Sequence, residues 1–378
     1  MDLISLRDFT SGFKGVSLAR AEDSQELCDF FEMKPMKGES LILTYLRRPD
    51  FFGLLRAHSS RFFVLILRNP EGKLIGAGSI VIRSAYHEGA LIDVAYLGDL
   101  RVINPRQSAR AWRDFYLALL NNRQQIQELK DCRYFYTCIL EDNKQAQKAL
   151  ETKSPLGYHL FERYQMVNVF YKKPWAKINT ALTCVTHPSD KKILDFLRLN
   201  PRPLGFDFEG SKHQWQWRQL NWPGFESYPS FAIFQGEEMV AFTKLWSPRL
   251  VKKIRLDRVP VTLKILFKLL SPWIRLPQSG EEFQVVYMSL LTFKNGMAEQ
   301  VRQEAMSLLL LHALDWSKKQ GFHALSFADF EAFSLEPSLS GYLTHKTPLK
   351  LYFVDPARDP MTDFLQAGAP SGFEMSLV

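Results

Sequence analysis

The stretch from Tyr96 to Leu120 constrains this chain more than any other. Its first part, through Val102, alternates in polarity and is rich in Leu, Val and Tyr, which predicts a strand. Asn104-Pro105 is a breaker pair that ends this strand. The apolar residues that follow recur at three- and four-residue steps, as on one face of an amphipathic helix: Trp112, Phe115, Tyr116 and Leu119. The sequence therefore predicts a strand, a short turn and a helix.

Small residues and two arginines stand where this helix begins. They are Arg106, Gln107, Ser108, Ala109, Arg110 and Ala111. A helix start leaves backbone N–H groups without intrahelical acceptors, and its dipole favours a negative charge there. Because small side chains let a phosphate approach the backbone closely, the segment suggests a pyrophosphate cradle.

The same residues resemble motif A of the GNAT-type N-acyltransferases, a family that binds acetyl-CoA by its pyrophosphate. Val102, Pro105, Arg106 and Ala111 match the motif, whereas Ala109 stands where the family usually has glycine. This departure adds one methyl group at the cradle. The resemblance implies that acetyl-CoA or another acyl-CoA is the cofactor.

The order of predicted elements around the motif also resembles the GNAT plan, over roughly residues 14–172. Helices are predicted in the segments that contain Leu27, at about Tyr45–Ala57, at 106–126 and at Lys144–Glu151. The predicted strands are Val16–Arg20, Phe62–Leu67, Leu74–Arg83, Leu91–Val102, Arg133–Leu140 and an extended pair from His159 to Tyr171. The almost wholly apolar Arg133–Leu140 predicts a central, parallel strand.

Beyond Lys172–Trp175 the same order of predicted strands and helices recurs, with a weaker pattern. This order predicts a second, divergent copy of the fold. We therefore expect an α/β protein with two tandem GNAT-like domains, 1–175 and 176–378. Each has a mixed, mostly antiparallel sheet flanked by helices. The corresponding cradle, 294–300, lacks the Arg-x-x-Gly-x-Gly pattern and carries Glu299, so no CoA is expected there.

The resemblance implies roles for residues of the predicted strand Leu91–Val102, which precedes the cradle. Asp99 is similar in position to the family's acidic residue, which implies a general base that takes the proton from the attacking amine. Alternation places Asp99 and Arg101 on one face, so a plain ion pair with Arg101 or with a neighbouring strand is the open alternative. The backbones of Leu100, Arg101 and Val102 are expected to contact the pantetheine arm of the coenzyme. The arm would lie where this strand and the strand with residues 137–140 separate.

Asn143 resembles the family's coenzyme-contacting Asn, and it also suits the N-cap of the helix that follows. The tyrosine that protonates the departing thiolate in many family members would fall near Leu150-Glu151, and neither residue is Tyr. Tyr158 is interpreted as a core residue.

Two further groups have alternative interpretations. His87 and Glu88 are expected in an exposed turn, with an acceptor-side role as the alternative. A Trp-rich helix is expected to supply core or interface residues, with an acceptor cleft between the copies as the alternative: Trp215, Trp217 and Trp222.

The net charge of +8 permits anionic partners, but the basic residues are spread along the chain and no nucleic-acid motif is present. We expect no nucleic-acid partner. The four cysteines show no metal spacing and, with no signal peptide ahead of them, suggest a cytoplasmic protein without a metal site. The basic, apolar segment 259–277 is interpreted as a packed helix, although an interfacial membrane or partner helix fits the same pattern.

Together these features predict an N-acetyltransferase that passes an acyl group from acetyl-CoA to a primary amine of a small molecule or peptide. The second copy is expected to shape the acceptor cleft. Two alternatives stay open: a non-catalytic acyl-CoA sensor, and a tandem-GNAT aminoacyl or fatty-acyl transferase. The acceptor, the acyl-chain length and the oligomeric state do not follow from the sequence.

Overall fold

The computed structural model describes residues 3–33, 36–37, 42–87, 90–103, 105–148, 154, 156–175, 178, 180–200, 212–258, 276–356 and 374–377. The chain divides into two compact units, and each is discontinuous in sequence. The first unit contains Met1–Lys34, Arg47–Glu162 and Leu349–Ala367; the second contains Pro35–Leu46, Arg163–Pro348 and Gly368–Val378.

The strands are β1 (Val16–Leu18), β2 (Met36–Lys37), β3 (Ile42–Leu46), β4 (Arg61–Arg68), β5 (Leu74–His87), β6 (Ala90–Val102), β7 (Cys132–Leu140), β8 (Gly157–Lys172), β9 (Thr183–Thr186), β10 (Ser230–Gln235), β11 (Glu238–Trp246), β12 (Lys253–Arg258), β13 (Val285–Phe293), β14 (Ala324–Phe330) and β15 (Tyr342–Asp355). The α-helices are α1 (Leu6–Ser11), α2 (Ser24–Glu32), α3 (Gly53–His58), α4 (Pro105–Asn121), α5 (Lys144–Gln147), α6 (Asp190–Leu199), α7 (Lys212–Asn221) and α8 (Glu299–Lys319). Among the described residues, no helix is long and apolar enough to span a bilayer.

The sheet of the first unit has the order β1-β4-β5-β6-β7-β15. Neighbouring strands are antiparallel from β1 to β6, and β6 and β7 are parallel. Helix α4 makes the crossover between these parallel strands, as the apolar run in β7 predicted. The predicted fold class is confirmed, and so is the crossover helix within Tyr96–Leu120.

Helix α4 packs closely on β5 through two glycines. A Cβ atom at Gly76 would lie 2.3 Å from the indole Nε1 of Trp112, and one at Gly78 would lie 2.6 Å from the hydroxyl of Tyr116. Both aromatic side chains are buried in the core. Because Gly76 and Gly78 have no side chain, the large apolar residues of α4 can pack directly on β5. The two glycines therefore set the distance between this helix and the sheet.

The strand beside β7 comes from far along the chain. Residues Leu349–Phe353 of β15 pair antiparallel with Tyr136–Leu140. The extended pair predicted over His159–Tyr171 is instead the single strand β8, because the stretch holds no Gly or Pro that would turn it. β8 belongs to the first unit through Glu162 and to the second from Arg163, whereas the sequence predicted a boundary near residue 175.

The second unit repeats the plan of the first. Its order is β8-β14-β13-β11-β10-β9, with β13 and β14 parallel and α8 as the crossover helix between them. The recurring order of elements predicted beyond Lys172–Trp175 is observed in these strands and helices. The second copy of the fold, inferred from element order alone, is therefore present.

One predicted helix is wrong in its first half. The stretch Tyr45–Ala57 begins in β3, and its helix starts only at Gly53. β3 pairs with β2 and β12 in a small antiparallel sheet, and that long-range pairing overrides the local helical spacing. Residues 259–275 of the basic segment lie outside the described part of the chain.

Candidate functional site

The organising strand β6 carries a β-bulge at Asp99. On the facing strand, Ala77 pairs with Arg101 and Ser79 pairs with Gly98, so that Asp99 and Leu100 lie opposite the single residue Gly78. Asp99 has a φ of 55°, in the left-handed region that Asp tolerates better than most residues. A bulge of this kind turns backbone groups out of the ladder at a defined point.

The Asp99 carboxylate is held by two side chains. Arg47 donates from both terminal nitrogens, at 2.9 and 2.5 Å, and the Ser79 hydroxyl donates at 2.9 Å. Burial opposes ionisation of this carboxyl, but the Arg47 charge and these hydrogen bonds outweigh burial and lower its pKa. Asp99 is therefore ion-paired, but its partner is Arg47 rather than Arg101 or a residue of a neighbouring strand. Its catalytic role stays a prediction.

Arg47 is itself fixed by aromatic rings. Its guanidinium carbon lies 4.8 Å from the ring centre of Phe51 and 5.7 Å from that of Phe31, and the residue is 7% exposed. Arg101 lies 4.5 Å from the same Phe31 ring and donates to the Phe31 carbonyl. The two arginines thus share one aromatic side chain, which ties α2 to the bulge.

The parallel ladder between β6 and β7 ends just before the bulge. Its last backbone pair is Tyr96 with Tyr136, and the Thr137 hydroxyl then donates to the Leu97 carbonyl at 2.7 Å. Beyond this point β7 pairs with β15. The segments 98–102 and 137–140, which were expected to flank the pantetheine arm, therefore lie past the end of the shared ladder. The Leu100 side chain is 52% exposed.

Three buried rings stand beside the end of this ladder. The ring centres of His58 and Tyr96 are 5.7 Å apart, and those of Tyr96 and Tyr136 are 5.1 Å apart. Burial raises the pKa of Tyr136 to about 12, and burial together with Cys138 and Asp99 raises the pKa of Tyr96 well above its usual value. Both phenols are therefore protonated at neutral pH and can act as hydrogen-bond donors.

The predicted cradle forms the first turns of α4, which begins at Pro105. The first turn holds no acidic residue. Ala109 and Arg110 are exposed, and Ala111 is partly buried against the core. The side chains of Arg106, Gln107 and Ser108 lie outside the described part of the structure. Arg110 forms an exposed ion pair with Asp114 at 3.6 Å.

Asn143 caps α5, as its alternative interpretation expected. Its side-chain oxygen accepts from the backbone N–H of Ala146 at 3.1 Å. The side chain is exposed, so capping leaves the coenzyme-contacting role open as a prediction. Leu150 and Glu151, where the family's tyrosine would fall, lie outside the described residues. Tyr158 packs edge-on against Tyr352 in the first unit.

Two expectations about accessory residues resolve differently. His87 is not in an exposed turn: it is 8% exposed near the end of β5, with its ring centre 5.7 Å from that of Tyr134. Glu88 lies outside the described residues. Trp215 and Trp222 are buried within the second unit, in agreement with a core role.

The second unit has the same backbone features with different side chains. The ladder between β13 and β14 ends at Tyr287, and Leu290, with a φ of 56°, begins a bulge opposite Thr243. The crossover helix starts with Glu299, which forms an ion pair with Arg302. A carboxylate at this helix start opposes a phosphate.

No sequence pattern pointed to Arg47 or Ser79 as partners of Asp99. Nor did any pattern point to His58 and Tyr136 as ring neighbours of Tyr96. Arg47 lies in a stretch predicted as helix, and His58 ends helix α3. Ser79 and Tyr136 lie on two separate strands, β5 and β7. A polar Ser inside the apolar β5 is the one local signal that a buried partner is near. Among the described residues, no group of His, Cys, Asp and Glu is placed to hold a metal ion.

Compared by sequence, the chain matches no family model and no curated protein. Compared by structure, it is similar to N-myristoyltransferase from Saccharomyces cerevisiae with bound myristoyl-CoA: TM-score 0.59, 8% identity, 96% of this chain and 86% of that chain. It is also similar to a tandem GNAT protein from the clavulanic acid biosynthesis pathway: TM-score 0.52, 10% identity, 91% of this chain and 99% of that chain.

A third likeness is to the glucosamine N-acetyltransferase region of a fungal multi-domain β-N-acetylglucosaminidase. Its TM-score is 0.56 at 14% identity, over 89% of this chain and 38% of that chain. Two bulged crossover units in one chain, together with these likenesses, show that the protein has a tandem GNAT fold.

Proposed function

We propose that the first unit is an acyl-CoA-dependent N-acyltransferase, with acetyl-CoA as the donor and a primary amine of a small molecule or peptide as the acceptor. One observation carries the proposal. The end of the β6–β7 ladder, the bulge at Asp99 and an acid-free helix start follow one another within residues 96–111. A strand-like ligand arm needs the first two features, and a pyrophosphate needs the third.

The donor would be held mainly by backbone. Leu100, Arg101 and Val102 would contact the pantetheine arm, and the start of α4 from Arg106 to Ala111 would bind the pyrophosphate. Asn143 follows β7 in sequence and precedes α5, and it would contact the coenzyme from there. Acyl-CoA supplies the activated thioester, and the chain's own groups orient it.

Attack by an amine on a thioester places negative charge on the carbonyl oxygen, and a backbone N–H turned out of a ladder is a suitable donor to it. The bulge at Asp99–Leu100 would supply such backbone groups at a fixed position. Rigid support of the bulge by Arg47 and Ser79 would then keep that donor in place.

Asp99 is the candidate base that the resemblance implies, but its environment favours a positioning role. A carboxylate with a lowered pKa accepts a proton less readily than an ordinary one. We therefore propose that Asp99 holds the bulge and that water takes the proton from the attacking amine.

The buried side chains near the bulge support the choice of a short acyl chain. Tyr96, Tyr136 and Arg47 are large and buried there. The likeness to N-myristoyltransferase keeps fatty-acyl transfer as the alternative within the same fold. The second alternative, a non-catalytic acyl-CoA sensor, is favoured by the ion-paired Asp99 and by Ala109 in the cradle.

Calorimetric titration with acetyl-CoA tests the proposal. The wild-type protein should bind one equivalent, and Arg106→Glu should weaken binding at least tenfold, because it sets a negative charge against the pyrophosphate. Arg113→Glu makes the same charge change further along α4 and should alter the affinity less than threefold. Absence of binding to acetyl-CoA and to myristoyl-CoA would refute the proposal.

An amine screen that follows release of the CoA thiol separates an enzyme from a sensor. Thiol release above the hydrolytic background with at least one amine supports the enzyme. Tight binding without release for any amine supports the sensor. A preference for myristoyl-CoA over acetyl-CoA would select the fatty-acyl alternative.

A further inference from the structure

The bulge of the second unit is occupied by a carboxylate from another part of the chain. The backbone N–H of Leu290 donates to the Glu374 carboxylate at 3.3 Å. The same oxygen accepts from the terminal nitrogen of Arg218, on α7, at 3.4 Å. A bulge N–H and a guanidinium thus converge on one oxygen, 84 and 156 residues away in sequence.

This carboxylate is deeply buried. The side chains of Arg218 and Glu374 are 2% and 3% exposed, and the neighbouring Met375, Ser376 and Leu377 are buried as well. Arg218 is further fixed by the ring of Trp222, whose centre lies 4.9 Å from the guanidinium carbon. An ionised group at this depth is tolerated only where an opposite charge compensates it.

The hydrogen bonds that Leu290 and Arg218 donate to Glu374 are longer than typical charge-assisted contacts, which average about 2.7–2.9 Å. Both donors lie on elements separate from residues 374–377: Leu290 is on β13, in the left-handed conformation of the bulge, and Arg218 is on α7.

We propose that the second unit contains a carboxylate-binding site, formed by the backbone N–H of Leu290 and the guanidinium of Arg218, and that Glu374 fills it as an internal ligand. A small free carboxylate takes the same place when the Glu374 side chain is removed. The bulge that would serve a thioester oxygen in the first unit serves a resident carboxylate in the second.

Acetate rescue of Glu374→Ala in the full-length chain tests this inference. The variant should melt about 5 to 15 °C below the wild type, since it removes one partner of a buried ion pair. Sodium acetate at constant ionic strength should restore at least half of this loss in a saturable way, whereas sodium chloride should not. The wild type, in which Glu374 holds the site, should show no specific acetate effect.

The double variant Arg218→Met/Glu374→Ala is the matched control, and it should not respond to acetate beyond the chloride effect. An equal acetate response in the single and double variants would overturn the proposal, as would no acetate response in the single variant. If Glu374→Ala folds only poorly, acetate but not chloride should raise its refolded yield, and equal yields in both salts would count against the site. None of these readouts depends on acyl-CoA.

Discussion

Asp99 and Leu290 occupy the same register position in two copies of one fold, yet they hold their bulges by opposite means. Asp99 is a residue type that tolerates a positive φ, and its own carboxylate is fixed by Arg47 and Ser79. Leu290 has no polar side chain, and a bulky residue at a φ of 56° costs about 1–2 kcal/mol. Its N–H instead binds a carboxylate delivered by Glu374. The bulge backbone is thus the same in both copies although its first residue changes from Asp to Leu, and in each copy a carboxylate lies at the bulge.

The largest expected effect comes from making the first bulge resemble the second. Asp99→Leu leaves the buried guanidinium of Arg47 without its carboxylate, and loss of one partner of a buried pair costs about 3–5 kcal/mol. Urea unfolding should show a loss of this size.

The double variant Arg47→Met/Asp99→Leu provides the control. It should recover more than half of the loss, since no unpaired charge is left behind. A single variant within 1 kcal/mol of wild type would show that the ion pair does not support the first bulge, which would break the contrast between the two copies.

A smaller effect is expected where the helices meet the sheets. Gly76→Ala places a Cβ 2.3 Å from the indole nitrogen of Trp112, and overpacking of this kind costs about 1–3 kcal/mol. The corresponding position in the second unit, Ala241, already carries a Cβ. Gly76→Ala should lower the melting temperature and weaken acetyl-CoA binding by tilting α4.

Ala241→Gly is the matched change in the other copy. It should cost about 0.5–1 kcal/mol through backbone entropy and should leave acetyl-CoA affinity unchanged. If Gly76→Ala proves as mild as Ala241→Gly and binding is unaltered, the close approach of α4 to β5 does not matter for the site.

The smallest effect concerns Lys244, which stands in the second unit where Ser79 stands in the first. Its amine donates to the Tyr228 carbonyl at 2.6 Å, and burial lowers its pKa to about 8. The unfolded chain keeps this proton to about pH 10.4. Between about pH 8 and pH 10.4 the unfolded state therefore binds more protons, and stability rises with pH.

Lys244→Met lacks this contribution. The unfolding free energy of wild type relative to Lys244→Met should increase by about 1–2 kcal/mol across that range. Parallel melts at pH 8 and pH 10 measure it, with Lys294→Met as a control for the loss of a surface amine. A difference that stays constant, or falls, as pH rises would contradict the lowered pKa.

The sequence predicted elements well where a local pattern determines them. Arg133–Leu140 was placed beside the organising strand because a strand apolar on both faces must be central, and it is. The second copy was found by element order, since alternation and helical spacing survive loss of the motif itself. The stripe of α4 was predicted from its period alone.

The remainder depended on contacts between distant residues. Arg47 meets Asp99 only because β3 is a strand rather than a helix, and β3 owes this to pairing with Lys253–Arg258. Likewise, no local sequence pattern predicts that β7 pairs with Leu349–Phe353. The left-handed conformation of Leu290 contradicts its residue type, so only the fold reveals it.

The shared strands have a consequence for the order in which the protein is made. The first unit needs Leu349–Asp355 to complete the side of β7 that faces away from β6. During synthesis, residues 1–162 would leave the ribosome with β7 as an open edge until position 355 had followed. The proposed acyl-CoA site, although it is encoded early, is therefore among the last parts of the molecule to be finished.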